Sequence, residues 1–164
     1  MLVRVHHLAS VAPPSTHERQ VVRVVLPSSS LMIINIYRPP SGPISQFLDE
    51  LGNFLATLVT SSSDKFLLCG DLNCSGVDGT HADDDLQNLL DSFGLDILVN
   101  EPTRANNLLD ILASDDPGLV SETYVDDAGL LSDHRLVHCK IRLDRPASRP
   151  VTISFRRIKD INIT

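Results

Sequence analysis

No run in this sequence approaches the ~18 consecutive apolar residues that a membrane-spanning helix needs. The N-terminal MLVRVHHLAS places two histidines where a signal peptide would continue its apolar stretch. The chain therefore reads as soluble and intracellular. Cysteine is sparse as well. Cys69, Cys74 and Cys139 form an odd set without the regular spacing of a disulfide framework, and no CxxC pair exists. A zinc site from Cys69, Cys74, His138 and Cys139 is disfavoured, because neighbouring ligands at 138 and 139 would point to opposite faces of a strand. Reduced, mostly buried thiols are expected instead. The DxDxDG order of a calcium loop is also missing around Asp83, Asp84 and Asp85, which suit a helix N-terminus. There is no internal repeat and no heptad series.

Positive charge is short in the body of the chain. Of the 14 Lys and Arg, seven fall in residues 140–164 beside two acids, leaving seven against nineteen in residues 1–139. A body this acidic does not hold a nucleic acid backbone by bulk charge. It suits a site that takes up metal cations.

At 164 residues with 42% hydrophobic content, one globular domain is expected. The segments 21–27 (VVRVVLP) and 31–40 (LMIINIYRPP) are β-branched runs separated by serines 28–30, which reads as a hairpin closed by two prolines. That places Tyr37 and Arg38 at a strand end. From Ile44, the residues Phe47, Leu48, Leu51, Phe54, Leu55, Leu58 and Val59 follow helical spacing until the serines at 61–63. KFLLCGDLN (65–73) has the pattern of a buried strand delivering polar groups at its C-terminal end. A second helix follows, with Asp83 as N-cap and Gly94 as stop. Strand-like segments then run at 95–100, 108–114, 119–125 and 136–143, and His138 reads as a solvent-facing strand residue. His6, His7, His17 and His81 read as surface or capping histidines. The Pro-containing segment 144–150 reads as a linker, so the domain is placed at 1–143 and a following segment at 144–164. The fold class is mixed α/β.

Three pieces carry chemistry. Asp71 and Asn73, two apart at a strand end, can point to one side, one handling a water and the other a phosphate. Asp110 is an acid inside an apolar strand and needs a partner. Asp133 and His134 stand side by side after a loop. His134 is the natural partner for Asp110, since an imidazole that donates to a carboxylate has its tautomer fixed and its protonated form stabilised. Phosphodiester cleavage needs such groups: a hard cation, a positioned water and donors for the phosphate oxygens.

NIYRPP, GDLN, EPTR, LLDILAS and SDHRLV occur in the order and approximate spacing of the endonuclease/exonuclease/phosphatase superfamily, the DNase-I-like nucleases. Through EPTR, NIYRPP and the tail SFRRIKDI the chain resembles the endonuclease domain of non-LTR retrotransposons, whose endonucleases lead into a reverse transcriptase. The resemblance implies a four-layer α/β sandwich and Mg²⁺, or Mn²⁺ in its place. It implies Asp71 at the attacking water, Asn73 on the phosphate with Tyr37 beside it, and Asp133 and His134 completing the set with Asp110 behind His134. Asp71 and Asp133 are the implied metal ligands, and Arg104, Thr103 and Arg38 the implied substrate-binding residues. DNA is the implied substrate and the nucleus the implied place of action.

The sequence departs from the family at its front. Members begin with strands carrying an Asn and then a metal-binding Glu, and nothing before Tyr37 matches either. The chain is accordingly read as N-terminally truncated, with exposed sheet edges that favour self-association. Two alternatives stay open: an inactive remnant or binding domain, and a phosphatase or RNase of the same superfamily.

Overall fold

The computed structural model describes residues 4–7, 14–25 and 30–142. Leu143, the linker and tail at 144–164, and most of the serine turn lie outside the described residues. A six-stranded sheet forms the centre, in the order β1 (Arg4–His7), β2 (Glu18–Val25), β3 (Ser30–Tyr37), β4 (Lys65–Asp71), β6 (Asp110–Ser114), β5 (Asp96–Ile97). A second sheet pairs β7 (Val120–Asp126) with β8 (Leu136–Ile141). Two helices, α1 (Ile44–Ser61) and α2 (Asp84–Ser92), complete the described chain.

The expected hairpin is present as the antiparallel pair β2–β3. β3 and β4 run parallel, which requires a crossover, and α1 provides it. Met32, Ile34 and Ile36 alternate onto one face of β3 and are buried. Arg19 pairs with Ile36 across β2–β3, and its guanidinium lies 4.0 Å over the Phe54 ring of α1, so the helix covers that face. α1 starts at Pro43 without a side-chain cap. Its stability therefore comes from packing: Phe47, Leu51, Phe54 and Leu55 are buried, each contributing roughly 1.5–3 kcal/mol. On the other face, Val125, Val137, Cys139 and Ile141 of the small sheet pack against the core. Helices, large sheet and small sheet thus form three of the four layers of the expected sandwich.

α2 is capped as its sequence predicts. The Asp83 carboxylate accepts from the N–H groups of Asp85 and Leu86 at 3.0 and 3.4 Å, and Gly94 follows at φ 69°. Several expectations change. β1 was not anticipated. The segment at 95–100 gives only Asp96–Ile97 as strand, the next strand starts at Asp110, and Pro117–Leu119 forms a 3₁₀ turn ahead of β7. His17 is buried with its ring edge-on to Phe47. His138 is half-buried and stacked on Tyr124 at 4.7 Å. Among the described residues no helix is long and apolar enough to cross a membrane.

Candidate active site

The register of three neighbouring strands assembles the site. Tyr37 ends β3, Asp71 ends β4 and Asp110 opens β6, and the pairing runs Tyr37↔Asp71↔Asp110. Directly paired residues share a sheet face, so the three side chains emerge together on the side opposite α1. Gly70 brings β4 close to its neighbour: it sits at φ +132°, and a Cβ there would lie 1.9 Å from the Ile36 carbonyl oxygen. The glycine of GDLN is thus required by the close approach of two backbones.

His134 reaches this row from the loop before β8. Its Nδ1 lies 2.8 Å from Asp110 Oδ2, and its Nε2 lies 4.0 Å from Asp71 Oδ2. The ligand atoms of Asp71, Asp110 and His134 all fall within 4.8 Å of one another. Each of the three side chains is between a fifth and a quarter exposed, which shields the charges yet leaves an approach. Burial, and then the neighbouring Asp110 carboxylate, push the Asp71 carboxyl above its ordinary range, against the opposing pull of His134 and the Asn73 N–H. The gap between Asp71 and Nε2 is too long for a hydrogen bond, so both atoms can act on something placed between them.

Asn73 lies just beyond the strand at φ 48°, a left-handed conformation that Asn tolerates. Its N–H donates to Asp71 Oδ1 at 3.2 Å, and its Nδ2 donates to the Arg38 carbonyl at 2.8 Å. The amide is thereby fixed beside Asp71. Tyr37 is 44% exposed at the rim.

The geometry places three of the sequence-based candidates outside the open cluster. Arg38, expected to bind substrate, is 3% exposed. Its guanidinium donates to the carbonyls of Asn73 at 3.1 Å and Gly42 at 2.9 Å, so it braces two loops from inside. Thr103, expected on a DNA-facing surface, is fully buried with its hydroxyl accepting backbone N–H groups. Asp133, expected to bind metal beside Asp71, stands outside the three-residue group. Its carboxylate is held by Arg104, with Nε at 2.8 Å and Nη2 at 2.5 Å, and this partner keeps its carboxyl below the ordinary range. Asp110 is the third member of that group. Arg104 itself is about half exposed.

The three cysteines are free thiols. Burial pushes the Cys74 thiol up to about 11. Glu18 pairs with Tyr37 in the same cross-strand row and is exposed. Its position on the active face depends on register, which its own sequence neighbourhood does not announce.

This fold, with acids on adjacent strand ends meeting a loop histidine, is that of the DNase-I-like endonuclease/exonuclease/phosphatase superfamily. Within it, the endonuclease–reverse transcriptase family matches residues 31–138, and the chain belongs to that family. No curated protein matches in sequence. Among solved structures, the endonuclease domain of TRAS1, a telomere-specific non-LTR retrotransposon, superposes with a TM-score of 0.67 at 20% identity, covering 87% of this chain and 70% of that one. An endonuclease/exonuclease/phosphatase family protein from Leptotrichia buccalis C-1013-b gives 0.57 at 18% identity over 76% of this chain. The human Nocturnin catalytic domain gives 0.51 at 14% over 74%. The chain spans 53% and 51% of the lengths of those last two.

Proposed function

We propose that the site hydrolyses a phosphodiester of DNA with the help of a divalent cation, as the endonuclease of a retrotransposon-type protein acting in the nucleus. The observation that carries this reading is the convergence of Asp71, Asp110 and His134 within 4.8 Å on one sheet face. The donor set fits the cation: two carboxylates offer the oxygen ligands that Mg²⁺ or Mn²⁺ takes. Asp71 and Asp110 are the residues that would hold it, and a bound cation would offset phosphate charge.

The chain's own groups supply the rest. Asp71 accepts a proton from the attacking water or orients it. Asp110 fixes the imidazole through Nδ1 and leaves Nε2 facing the reaction space. Protonated His134 donates from Nε2 to a phosphate oxygen. Asn73 contributes amide hydrogen bonding to the phosphate, and Tyr37 and Arg104 face the substrate from the rim. DNA is favoured over other phosphoesters by the family and by the likeness to the telomere-specific retrotransposon endonuclease.

The test is relaxation of supercoiled plasmid in Mg²⁺ or Mn²⁺ against a chelator control. Asp71→Asn and His134→Ala should each lower nicking on the order of a hundredfold or more. Nicking that survives both substitutions would sink the assignment. A second reading, a binding domain without catalysis, is favoured by one observation: Asp133 is engaged by Arg104 rather than by the cluster. Retained DNA binding with no nicking in either metal would select it. Cleavage of RNA or of a phosphomonoester in place of DNA would move the substrate within the superfamily.

A further inference from the structure

The pair His134–Asp110 joins residues 24 positions apart on two separate segments. Something must hold those segments in register, because a hydrogen bond between two partly exposed side chains does not fix two backbones.

Thr103 sits between them. It is fully buried, in the turn that leads from β5 to β6. Its Oγ1 accepts from the N–H of Leu109 at 3.1 Å and from the N–H of Asp110 at 3.0 Å. Its carbonyl accepts from the N–H of Arg135 at 2.6 Å, one residue after His134. Its own N–H donates to Asn107 O at 2.9 Å. One side chain and one peptide unit therefore grip the backbone of Asp110 on one side and of the His134 segment on the other. The neighbouring residue reinforces the grip. Arg104 bridges to His134 through the backbone and closes a two-residue turn with Asn107. The first central residue of that turn, Ala105, sits at φ 50°. Leu109 is also tied to β4, because its carbonyl accepts from Leu72 N–H at 3.0 Å, next to Asp71.

We infer that Thr103 is a positioning residue for the proposed reaction: its hydroxyl and carbonyl set the separation at which His134 Nδ1 meets Asp110 Oδ2. A hydroxyl oxygen has two lone pairs and can accept both N–H groups. An apolar side chain of the same shape leaves two buried donors unmet, and the strand start then shifts to find other acceptors. The Asp110 carboxylate moves with it. The inference rests on the nuclease reading only for its kinetic consequence, and the geometric claim is independent of it.

Thr103→Val removes the acceptor at constant shape, Thr103→Ser keeps the acceptor and loses a methyl, and Thr103→Cys matches serine in shape with a weak acceptor. Two readouts are taken: plasmid nicking with kcat and KM separated, and the low-field proton resonance of the His134 Nδ1–H in metal-free protein, assigned by its loss in His134→Ala. Valine should lower kcat about ten- to a hundredfold with KM changed less than about twofold, as a misplacement of roughly an ångström does. Its Nδ1–H resonance should shift or vanish well below its melting temperature. Serine should retain both signals, and cysteine should fall between. Wild-type kcat and resonance in the valine variant would overturn the inference, and so would a serine variant as impaired as valine, since packing of the methyl would then be the cause. If the valine variant fails to fold, serine against cysteine decides, and equal behaviour of the two overturns it. If the wild type does not nick at all, the nuclease reading fails while the resonance still tests Thr103.

Discussion

Two aspartates flank the same strand and meet opposite fates. Asp64 stands just before β4, with its side chain 2% exposed and gripped by Arg23 Nε at 2.6 Å and Nη2 at 2.8 Å. Ser30 donates a further hydrogen bond to it, and the Arg23 guanidinium, ahead of the serine contacts, holds its carboxyl below the ordinary range. Asp71 ends the strand with about a fifth of its side chain exposed. Its cross-strand neighbour is another carboxylate, and its carboxyl is pushed up. A buried charge set against an opposite charge ties the fold together. A charge set beside its own kind is held at some cost to stability and stays available to a cation or a substrate.

The largest expected effect comes from breaking the ion-paired member. Asp64→Asn should destabilise the fold by about 2 kcal/mol, because a charge-assisted bond to Arg23 is lost. Urea unfolding measures it, and nicking per folded molecule should hardly change. The member beside a like charge should respond with the opposite sign. A raised folded-state pKa means that ionised Asp71 costs stability above that pKa and that stability recovers as pH falls through it. Asp71→Asn should therefore raise the melting temperature of metal-free protein at neutral pH while abolishing nicking. Millimolar Mg²⁺ should then stabilise the wild type and leave the variant unmoved; a metal-free variant that melts lower than the wild type breaks the contrast.

The smallest effect sharpens the comparison from a third acid. Glu50 on α1 accepts from the backbone and hydroxyl groups of Ser15 and Thr16, at 2.5 to 3.2 Å. Hydrogen bonds, first that from the Ser15 hydroxyl, hold its carboxyl at about 2. A lowered folded-state pKa gives stability that is complete above the ordinary glutamate range and is lost as pH falls toward 2. Hydrogen exchange at Ser15 and Thr16 should accelerate over that interval, and Glu50→Gln should remove the pH dependence.

Local periodicity made most of the architecture legible. The spacing from Ile44 to Val59 marks α1, Asp83 and Gly94 bracket α2, and the apolar run before Gly70-Asp71 marks the buried strand. The clustered residues were legible for a related reason, since an acid in an apolar strand and an Asp-His pair after a loop both need an explanation. What stayed hidden depends on partners far away in sequence. Arg38 looked available because nothing near it shows that its guanidinium donates to the carbonyls of Gly42 and Asn73. Thr103 looked like a surface residue because its hydroxyl serves N–H groups six and seven positions on. Asp133 looked free because Arg104, 29 residues earlier, is brought beside it only by the fold. His17 looked like a surface histidine because the ring of Phe47 lies on another element.

Gly70 bears on how such a chain can decay. Many enzymes lose activity by drifting at a reacting side chain while the scaffold survives for other uses. Here the residue beside Asp71 leaves no room for a methyl group against Ile36, so a replacement by any other amino acid pries apart β3 and β4 in the middle of the sheet. Mutational erosion by that route removes the protein together with its chemistry, and a folded copy in which Gly70 persists has kept the backbone on which the site is strung.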